Sequence, residues 1–134
     1  KFGGNINAHF NAEDAIVNVD EMHFTNVIFN LLDNAVKYRR EDVEPQLTVT
    51  TRNTSNGMLE IKIADNGIGI KREDLKKIFE KFYRVSTGNR HDVKGFGLGL
   101  AYVYKMVTLF KGNIKAESEV NKGSTFIITL PLLK

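Results

Sequence analysis

Asparagine recurs at four-residue spacing in one short stretch of the sequence, at Asn26, Asn30 and Asn34. At about 100° per residue in a helix, these positions share one edge with Asp33 and Lys37. Asparagine forms helices poorly, so this pattern favours side-chain oxygens held toward a ligand. A neutral amide carbonyl suits Mg²⁺, which prefers a few protein oxygens together with waters and substrate phosphates. The other interpretation is that neighbouring loops satisfy these amides, and the pattern alone leaves both open.

Two glycine-rich segments have the composition of a phosphate-binding loop. Asp65-Asn-Gly-Ile-Gly-Ile70 follows an alternating apolar stretch, and Gly95-Phe-Gly-Leu-Gly-Leu100 precedes a helical pattern, with Lys94 just before it. Glycines allow close approach of the backbone, and a helix N-terminus presents free N–H groups to an anion. Each segment alone is also typical of an ordinary turn. The G-x-G-x-G spacing fits neither the dinucleotide-binding fingerprint nor the P-loop.

Three helices are predicted from apolar residues at helical spacing. The first follows Asp20 as its N-cap and carries the asparagine face. The second spans residues 72–82. The third opens at the second glycine-rich segment and runs through Phe110, where Gly112 supplies the stop. Residues 84–94 lose all periodicity, and we expect a mobile loop there.

Six strands are predicted from alternating apolar residues. Two short strands open the chain around a polar turn at residues 11–14. Residues 47–52 and 58–64 form one hairpin, and residues 113–119 and 124–130 form another. The order of elements, β-β-α-β-β-α-α-β-β, predicts an α+β fold. We expect a two-layer α/β sandwich whose mixed, largely antiparallel sheet carries the helices on one face.

Composition narrows the class of protein. The chain has 134 residues, 19 Lys and Arg against 16 Asp and Glu, a formal charge of +3 and 42% hydrophobic residues, which fits one domain over residues 1–134. The absence of cysteine excludes disulfides, thiolate metal sites and a cysteine nucleophile. Neither nucleic acid nor a membrane is expected as a partner, because the sequence has no basic block and no apolar run of about 20 residues. The start at Lys1 predicts a fragment of a longer protein.

Five segments, taken in order, resemble the motifs of the ATP-binding catalytic domain of two-component sensor histidine kinases. Asn30-Leu-Leu-Asp-Asn-Ala-Val-Lys-Tyr38 resembles the asparagine box, and residues 65–70 resemble the first glycine box. Phe79-Glu-Lys-Phe-Tyr-Arg84 resembles the phenylalanine box, and residues 95–100 resemble the second glycine box. Gly123-Ser-Thr-Phe126 resembles the small motif before the last strand. The wider family includes gyrase, the heat-shock chaperone and mismatch-repair ATPases, and the resemblance implies their α/β sandwich.

The resemblance implies catalytic roles for four residues. Asn34 would bind Mg²⁺, and Asn30 would line the phosphate channel one turn earlier. Lys37 would meet a phosphate, and Arg84 would meet the γ-phosphate. For Lys37 and Arg84 the alternative interpretation is a solvated surface charge.

The resemblance also implies contacts to the nucleotide. Tyr38 would pack along it, Asp65 would accept a hydrogen bond from the adenine amino group, and Thr125 would support the base through its hydroxyl. The two glycine boxes would supply the remaining contacts, from Gly67, Gly69, Ile70, Lys94, Gly95, Gly97, Leu98, Gly99 and Leu100. The sequence departs from many relatives at residues 39 and 40, where two arginines stand in place of a small hydroxyl residue. We expect them to shift the edge of the pocket.

The function implied is a cytoplasmic protein-histidine kinase domain that uses ATP and Mg²⁺. It would transfer the γ-phosphoryl group to a histidine on a separate dimerisation and phosphoacceptor domain, with a response regulator downstream. None of His9, His23 and His91 lies in an acceptor-like sequence. The alternatives are a nucleotide-binding regulatory module and an ATPase of the wider family. Asn30 stands where hydrolysing relatives carry glutamate, which favours the kinase over the ATPase.

Overall fold

A five-stranded sheet is the framework of the fold in the computed structural model, which describes residues 5–10, 19–80 and 99–132. The described elements are β1 (Asn5–Phe10), α1 (Glu21–Lys37), β2 (Gln46–Asn53), β3 (Met58–Asp65), α2 (Arg72–Leu75), α3 (Gly99–Leu109), β4 (Asn113–Glu119) and β5 (Gly123–Pro131). The strand order is β1-β2-β3-β5-β4. β1 runs parallel to β2, whereas the other neighbouring strands are antiparallel. The predicted α+β sandwich with a mixed, largely antiparallel sheet is confirmed.

The core lies between the sheet and the helices. In α1, Val27, Leu31 and Ala35 are buried one turn apart, as the helical spacing of the sequence predicts. The register of β3 and β5 pairs buried apolar residues across the strands: Leu59 with Leu130, Ile61 with Ile128, and Ile63 with Phe126. Val103, Met106 and Val107 of α3 belong to the same apolar cluster. Each fully buried side chain of this size contributes about 1.5–3 kcal/mol, so these pairs hold β3 and β5 in one register.

The N-terminal region is described in part. β1 lies within the first strand that the sequence predicts. The second predicted strand falls on residues 15–19, of which 15–18 lie outside the described residues. Val19 is described, belongs to no strand, and packs against the core. The loop expected at residues 84–94 also lies outside the described residues. In the ranges that the structure describes, no helix is long and apolar enough to cross a bilayer.

The second helix is shorter than predicted. The sequence predicts a helix over residues 72–82, but α2 ends at Leu75. Beyond it, the Lys77 and Glu80 N–H groups donate to carbonyls three residues back. These tighter turns place Ile78 in the core, with 3% of its surface exposed. Residues 81 and 82 of the predicted helix lie outside the described residues. Within the described part, the apolar spacing marks residues that pack in or against the core, although one regular helix does not carry them.

Helix α3 ends near the predicted position, but for a different physical reason. The residue with left-handed backbone is Lys111, at φ 66°, and not the predicted stop Gly112. The Gly112 N–H donates to the Val107 carbonyl at 2.9 Å, which closes the helix end. A Cβ on Gly112 would overlap the carbonyl oxygen of Thr129 in β5. Glycine is therefore needed at this position for close packing against the sheet.

The start of α1 confirms the position of Asp20 as N-cap but shows no side-chain cap. The Asp20 backbone is extended, and its carbonyl accepts the Phe24 N–H at 2.8 Å. Its carboxylate makes no cap hydrogen bond and instead lies 3.4 Å from Nε2 of His23. His23 Nδ1 is 2.8 Å from the hydroxyl of Tyr102 in α3. These contacts give His23 a packing role between α1 and α3.

Candidate functional site

Asp65 is the last residue of β3, and its carboxylate is held by two backbone groups. Oδ1 accepts hydrogen bonds from the Gly67 N–H at 2.9 Å and the Ser124 N–H at 3.1 Å. No donor from the described part of the chain reaches Oδ2. Burial raises the pKa of the Asp65 carboxyl above its ordinary value, and the two N–H donors oppose part of that rise. Asp65 thus presents one fixed oxygen and one free oxygen, which can accept a hydrogen bond from a ligand amino group.

The glycine-rich loop after Asp65 lies against backbone on both sides. The Ile68 N–H donates to the Tyr38 carbonyl at 2.9 Å, and the Ile68 carbonyl accepts the Asn121 N–H at 2.8 Å. A Cβ on Gly67 would overlap the Tyr38 carbonyl oxygen, and one on Gly69, at φ +78°, would overlap the Glu119 carbonyl oxygen. The two glycines of the predicted box are therefore required by the close approach of three chain segments.

Asn66 fastens the loop to the segment that follows α1. Its Oδ1 accepts the Gln46 N–H at 2.8 Å, and its Nδ2 donates to the Glu44 carbonyl at 3.1 Å. Arg40 Nε donates to the Asn66 carbonyl at 3.0 Å, and Arg39 Nη1 donates to the Val36 carbonyl at 2.9 Å. The two arginines that depart from the family pattern therefore bond to backbone carbonyls, and Arg40 does so beside Asp65.

The asparagine face of α1 meets the start of α3. Asn30 Nδ2 donates to the Asn26 carbonyl at 2.8 Å, one turn back. Its Oδ1 lies 3.1 Å from where a Cβ on Gly99 would stand, so the start of α3 lies close against the Asn30 amide. Among the described residues, nothing hydrogen-bonds the side-chain amide of Asn34, which is half-buried. Asn34 therefore offers a free amide oxygen, a donor of the kind that Mg²⁺ accepts.

Lys37 and Tyr38 lie at the end of α1. Lys37 Nζ is 3.1 Å from Asp33 Oδ2 in an ion pair whose two side chains are each 41% exposed. Tyr38 is the C-cap residue, and its backbone carbonyl receives the glycine-rich loop. The structure thus places Lys37 in a surface pair one turn from Asn34, and its predicted phosphate contact remains a prediction.

The second glycine box is described at its end only. Gly99 and Leu100 form the first turn of α3, as predicted. Arg84, Lys94, Gly95, Gly97 and Leu98 lie outside the described residues, so their predicted contacts remain predictions. The N–H groups in the first turn of a helix are free to meet an anion, and Gly99 brings them beside Asn30.

Ser124 and Ser118 are site residues that the sequence reasoning missed. Ser124 contacts Asp65 through its backbone N–H, and the predicted contact of Thr125 with the base remains a prediction. Thr125 pairs with Ala64 and, because strand residues alternate, lies on the opposite face from Ser124. Ser118 of β4 faces Ser124 across the hairpin, and their Oγ atoms are 2.9 Å apart. The sequence could have indicated these two residues. Both serines occupy the alternate positions that otherwise carry the apolar, inward-facing residues of their strands.

Comparison with known proteins agrees with this geometry. Residues 19–134 match the family model described as histidine kinase-, DNA gyrase B- and HSP90-like ATPase. The chain therefore belongs to that family, and it is an ATP-binding catalytic domain of the sensor histidine kinase type.

Individual relatives are sensor proteins. The chain is 59% identical over 134 residues to the sensor protein RprX of Bacteroides fragilis, covering 100% of this chain and 26% of RprX. It is 37% identical over 118 residues to the sensor histidine kinase WalK of Bacillus subtilis, covering 88% of this chain and 19% of WalK. The structure matches the mycobacterial sensor histidine kinase MprB with a TM-score of 0.78 at 25% identity, covering 95% of this chain and 84% of that one. The chain spans about a quarter of the length of RprX and a fifth of WalK.

Proposed function

We propose that this domain, as part of a longer sensor kinase, transfers the γ-phosphoryl group of ATP to a histidine on a separate dimerisation domain. The observation that carries the proposal is the Asp65 carboxylate, whose Oδ1 is held by the Gly67 and Ser124 N–H groups. Oδ2 is then available to the 6-amino group of adenine. A buried, oriented acceptor of this kind discriminates strongly against a base without the amino donor.

The phosphate end of the proposed site is the face shared by α1 and the start of α3. Asn34 would hold Mg²⁺ through its free amide oxygen, with waters and phosphate oxygens completing the coordination. The ion supplies charge neutralisation for the phosphates. Asn30 lies beside the N-terminus of α3 at Gly99, whose free N–H groups suit a phosphate. This arrangement supports a triphosphate that extends from Asp65 toward α3.

Phosphoryl transfer asks for positioning and charge neutralisation rather than covalent chemistry from the domain. In the proposed reaction, an imidazole nitrogen of the partner histidine attacks the γ-phosphorus, a P–N bond forms, and the bond to the bridging oxygen of ADP breaks. Asn30 carries no carboxylate that could deprotonate a water, so the site offers no general base for hydrolysis at that position. We place the domain in the cytoplasm, where ATP and a response regulator are available.

The test is a phosphotransfer assay in trans. The chain is mixed with radiolabelled Mg-ATP and the dimerisation domain of the same protein. We expect acid-labile label on that domain and none on this chain, because no histidine here lies in an acceptor-like sequence. Tight nucleotide binding with no transfer would show a regulatory module instead, and sustained phosphate release without the partner would show an ATPase.

The metal ligand is tested separately with Asn34→Ala. Loss of one ligand oxygen should weaken Mg-ADP by about tenfold, in the range seen when a metal site loses a supporting group. In EDTA, the parent and the variant should bind ADP alike. Asn113→Ala, an exposed asparagine at the start of β4, is the matched control and should match the parent in both conditions. An equal loss with and without Mg²⁺ would remove Asn34 from the metal site.

A further inference from the structure

Ser118 lies near the end of β4, with no place in the motifs that the sequence singles out, yet its hydroxyl joins three segments around Asp65. Oγ accepts the Ile70 N–H at 2.7 Å, at the end of the glycine-rich loop. It donates to the Gly123 carbonyl at 2.8 Å, at the start of β5. It also lies 2.9 Å from Oγ of Ser124. This half-buried hydroxyl thus connects the glycine-rich loop, which ends at Ile70, to β5, which begins at Gly123.

The bonding capacity of a hydroxyl fixes the direction of the third contact. A serine hydroxyl has one donor and two acceptor positions. The Ser118 proton is used on the Gly123 carbonyl, and one acceptor position is used by the Ile70 N–H. The Ser124 hydroxyl must therefore donate to Ser118 Oγ. All three hydrogen-bonding positions of the Ser118 hydroxyl are then in use. A hydroxyl with every position filled holds its partners in one arrangement.

The same three segments determine how Asp65 is held. Its two donors, the N–H groups of Gly67 and Ser124, come from the loop and from β5 respectively. Ser118 bonds the end of that loop and the residues on either side of the Ser124 N–H. A shift of the loop relative to β5 would separate the two donors and rotate the carboxylate. The free oxygen would then no longer point in a fixed direction.

We propose that Ser118 is a positioning residue for adenine selectivity. It acts through the loop and β5 and has no need to touch the nucleotide. The inference rests on the proposed recognition of adenine by Asp65. It adds that selection of the 6-amino group depends on a hydroxyl in the β4–β5 hairpin.

The experiment compares ADP with inosine diphosphate, which carries a 6-oxo group where ADP carries the 6-amino group. Dissociation constants of both are measured by calorimetry for the 134-residue chain and its variants. In the parent, ADP should bind far more tightly, because the 6-oxo group faces the Asp65 carboxylate without a donor. Ser118→Ala should reduce the ratio of the two constants by about fivefold or more, the effect of losing one oriented hydrogen bond. Ser118→Thr keeps the hydroxyl and should retain most of the ratio.

The controls separate positioning from stability and from the proposed function. Ser55→Ala, in the exposed turn between β2 and β3, should leave the ratio and the melting temperature unchanged. If Ser118→Ala weakens both nucleotides equally, Ser118 is merely structural and the proposal is wrong. If the parent itself does not prefer ADP, base recognition by Asp65 fails and the inference fails with it.

A second variant keeps the proposal testable if Ser118→Ala does not fold. Ser124→Ala removes the hydroxyl that donates to Ser118 but leaves the backbone N–H that donates to Asp65. It should lower the ratio by a smaller factor, about twofold to threefold, because the other two bonds of Ser118 survive. An unchanged ratio in a folded Ser124→Ala would overturn the proposal.

Discussion

The proposed base end of the site, formed by Asp65, residues 66–70 and Ser118 to Ser124, is built differently from the proposed phosphate end, formed by α1 and Gly99. At the base end, backbone groups far apart in sequence converge, such as the Ser124 N–H on Asp65. At the phosphate end, side chains of one helix bond within a single turn, as Asn30 does to Asn26 and Lys37 to Asp33. The fold therefore preforms the base end, whereas the phosphate end consists of exchangeable local contacts.

The difference has an energetic consequence. Backbone donors in a close-packed loop cannot move independently, so a disturbance of the backbone at the base end should cost folding stability as well as affinity. Half-exposed side chains on a helix surface can leave a local partner for a ligand at little cost. We therefore expect the two ends to respond to substitution in different ways.

The largest effect is expected at Gly123. Its φ is +133°, and a Cβ there would overlap the Asp65 carbonyl oxygen. Gly123→Ala should destabilise the fold by about 3 kcal/mol or more, through both backbone strain and overlap with a main-chain atom. Chemical denaturation measures the change, and ADP binding should be lost with it.

Gly57 is the matched control for Gly123. Its φ is also positive, at +77°, but nothing lies within 4 Å of its Cβ position. Gly57→Ala should cost only the left-handed strain, about 1–2 kcal/mol. Equal losses of folding stability in the two variants would show that close packing around Asp65 does not make the base end more sensitive to substitution.

Asp65→Asn should separate affinity from stability at the base end. The amide oxygen can still accept the Gly67 and Ser124 N–H groups, but the amide nitrogen then faces the adenine amino group, donor against donor. ADP affinity should fall by about 1–3 kcal/mol or more. The apo fold should be at least as stable as the parent at neutral pH, because no charge is buried. Calorimetry and thermal unfolding of the same samples provide both values.

The pH dependence of stability follows from the raised pKa of Asp65. The folded state holds the proton to higher pH than the unfolded state does. The contribution of this group therefore decreases as pH rises from the ordinary carboxyl pKa to the raised one, and is constant above it. The stability of the Asp65→Asn variant should not show this decrease, because an amide does not titrate. A stability difference between parent and variant that does not change with pH over that window would contradict burial as the cause.

The smallest effect is expected at Lys37. An exposed pair four residues apart on a helix contributes about 0.3–0.5 kcal/mol, so Lys37→Ala should hardly change the melting temperature. If Lys37 exchanges Asp33 for a phosphate, the variant should bind ATP about threefold more weakly and AMP as the parent does. Lys105→Ala, an exposed lysine on α3, is the control and should change neither affinity. An unchanged affinity for ATP would make Lys37 a surface charge only.

The features that depend on local periodicity could be predicted from the sequence alone. The spacing of apolar residues in α1 predicts both its buried stripe and the asparagine face, because the side chains of a helix follow a fixed angle per residue. The alternation of apolar residues predicts the two hairpins, β2–β3 and β4–β5, whereas the pairing of β3 with β5 was not predicted. The ordered motifs also indicated the family.

Contacts between groups far apart in the sequence could not be predicted, because they depend on how the strands and loops pack together. Ser124 meets Asp65 because the register of β3, β5 and β4 sets which face each residue takes. At the end of α3, Lys111 and not Gly112 turns left-handed, and Gly112 is needed because β5 leaves no room for a side chain at position 112. The role of Ser118 needs three segments in contact, and no local pattern encodes such a contact. The alternation of β4 indicates that Ser118 faces inward, but it does not indicate which groups its hydroxyl meets.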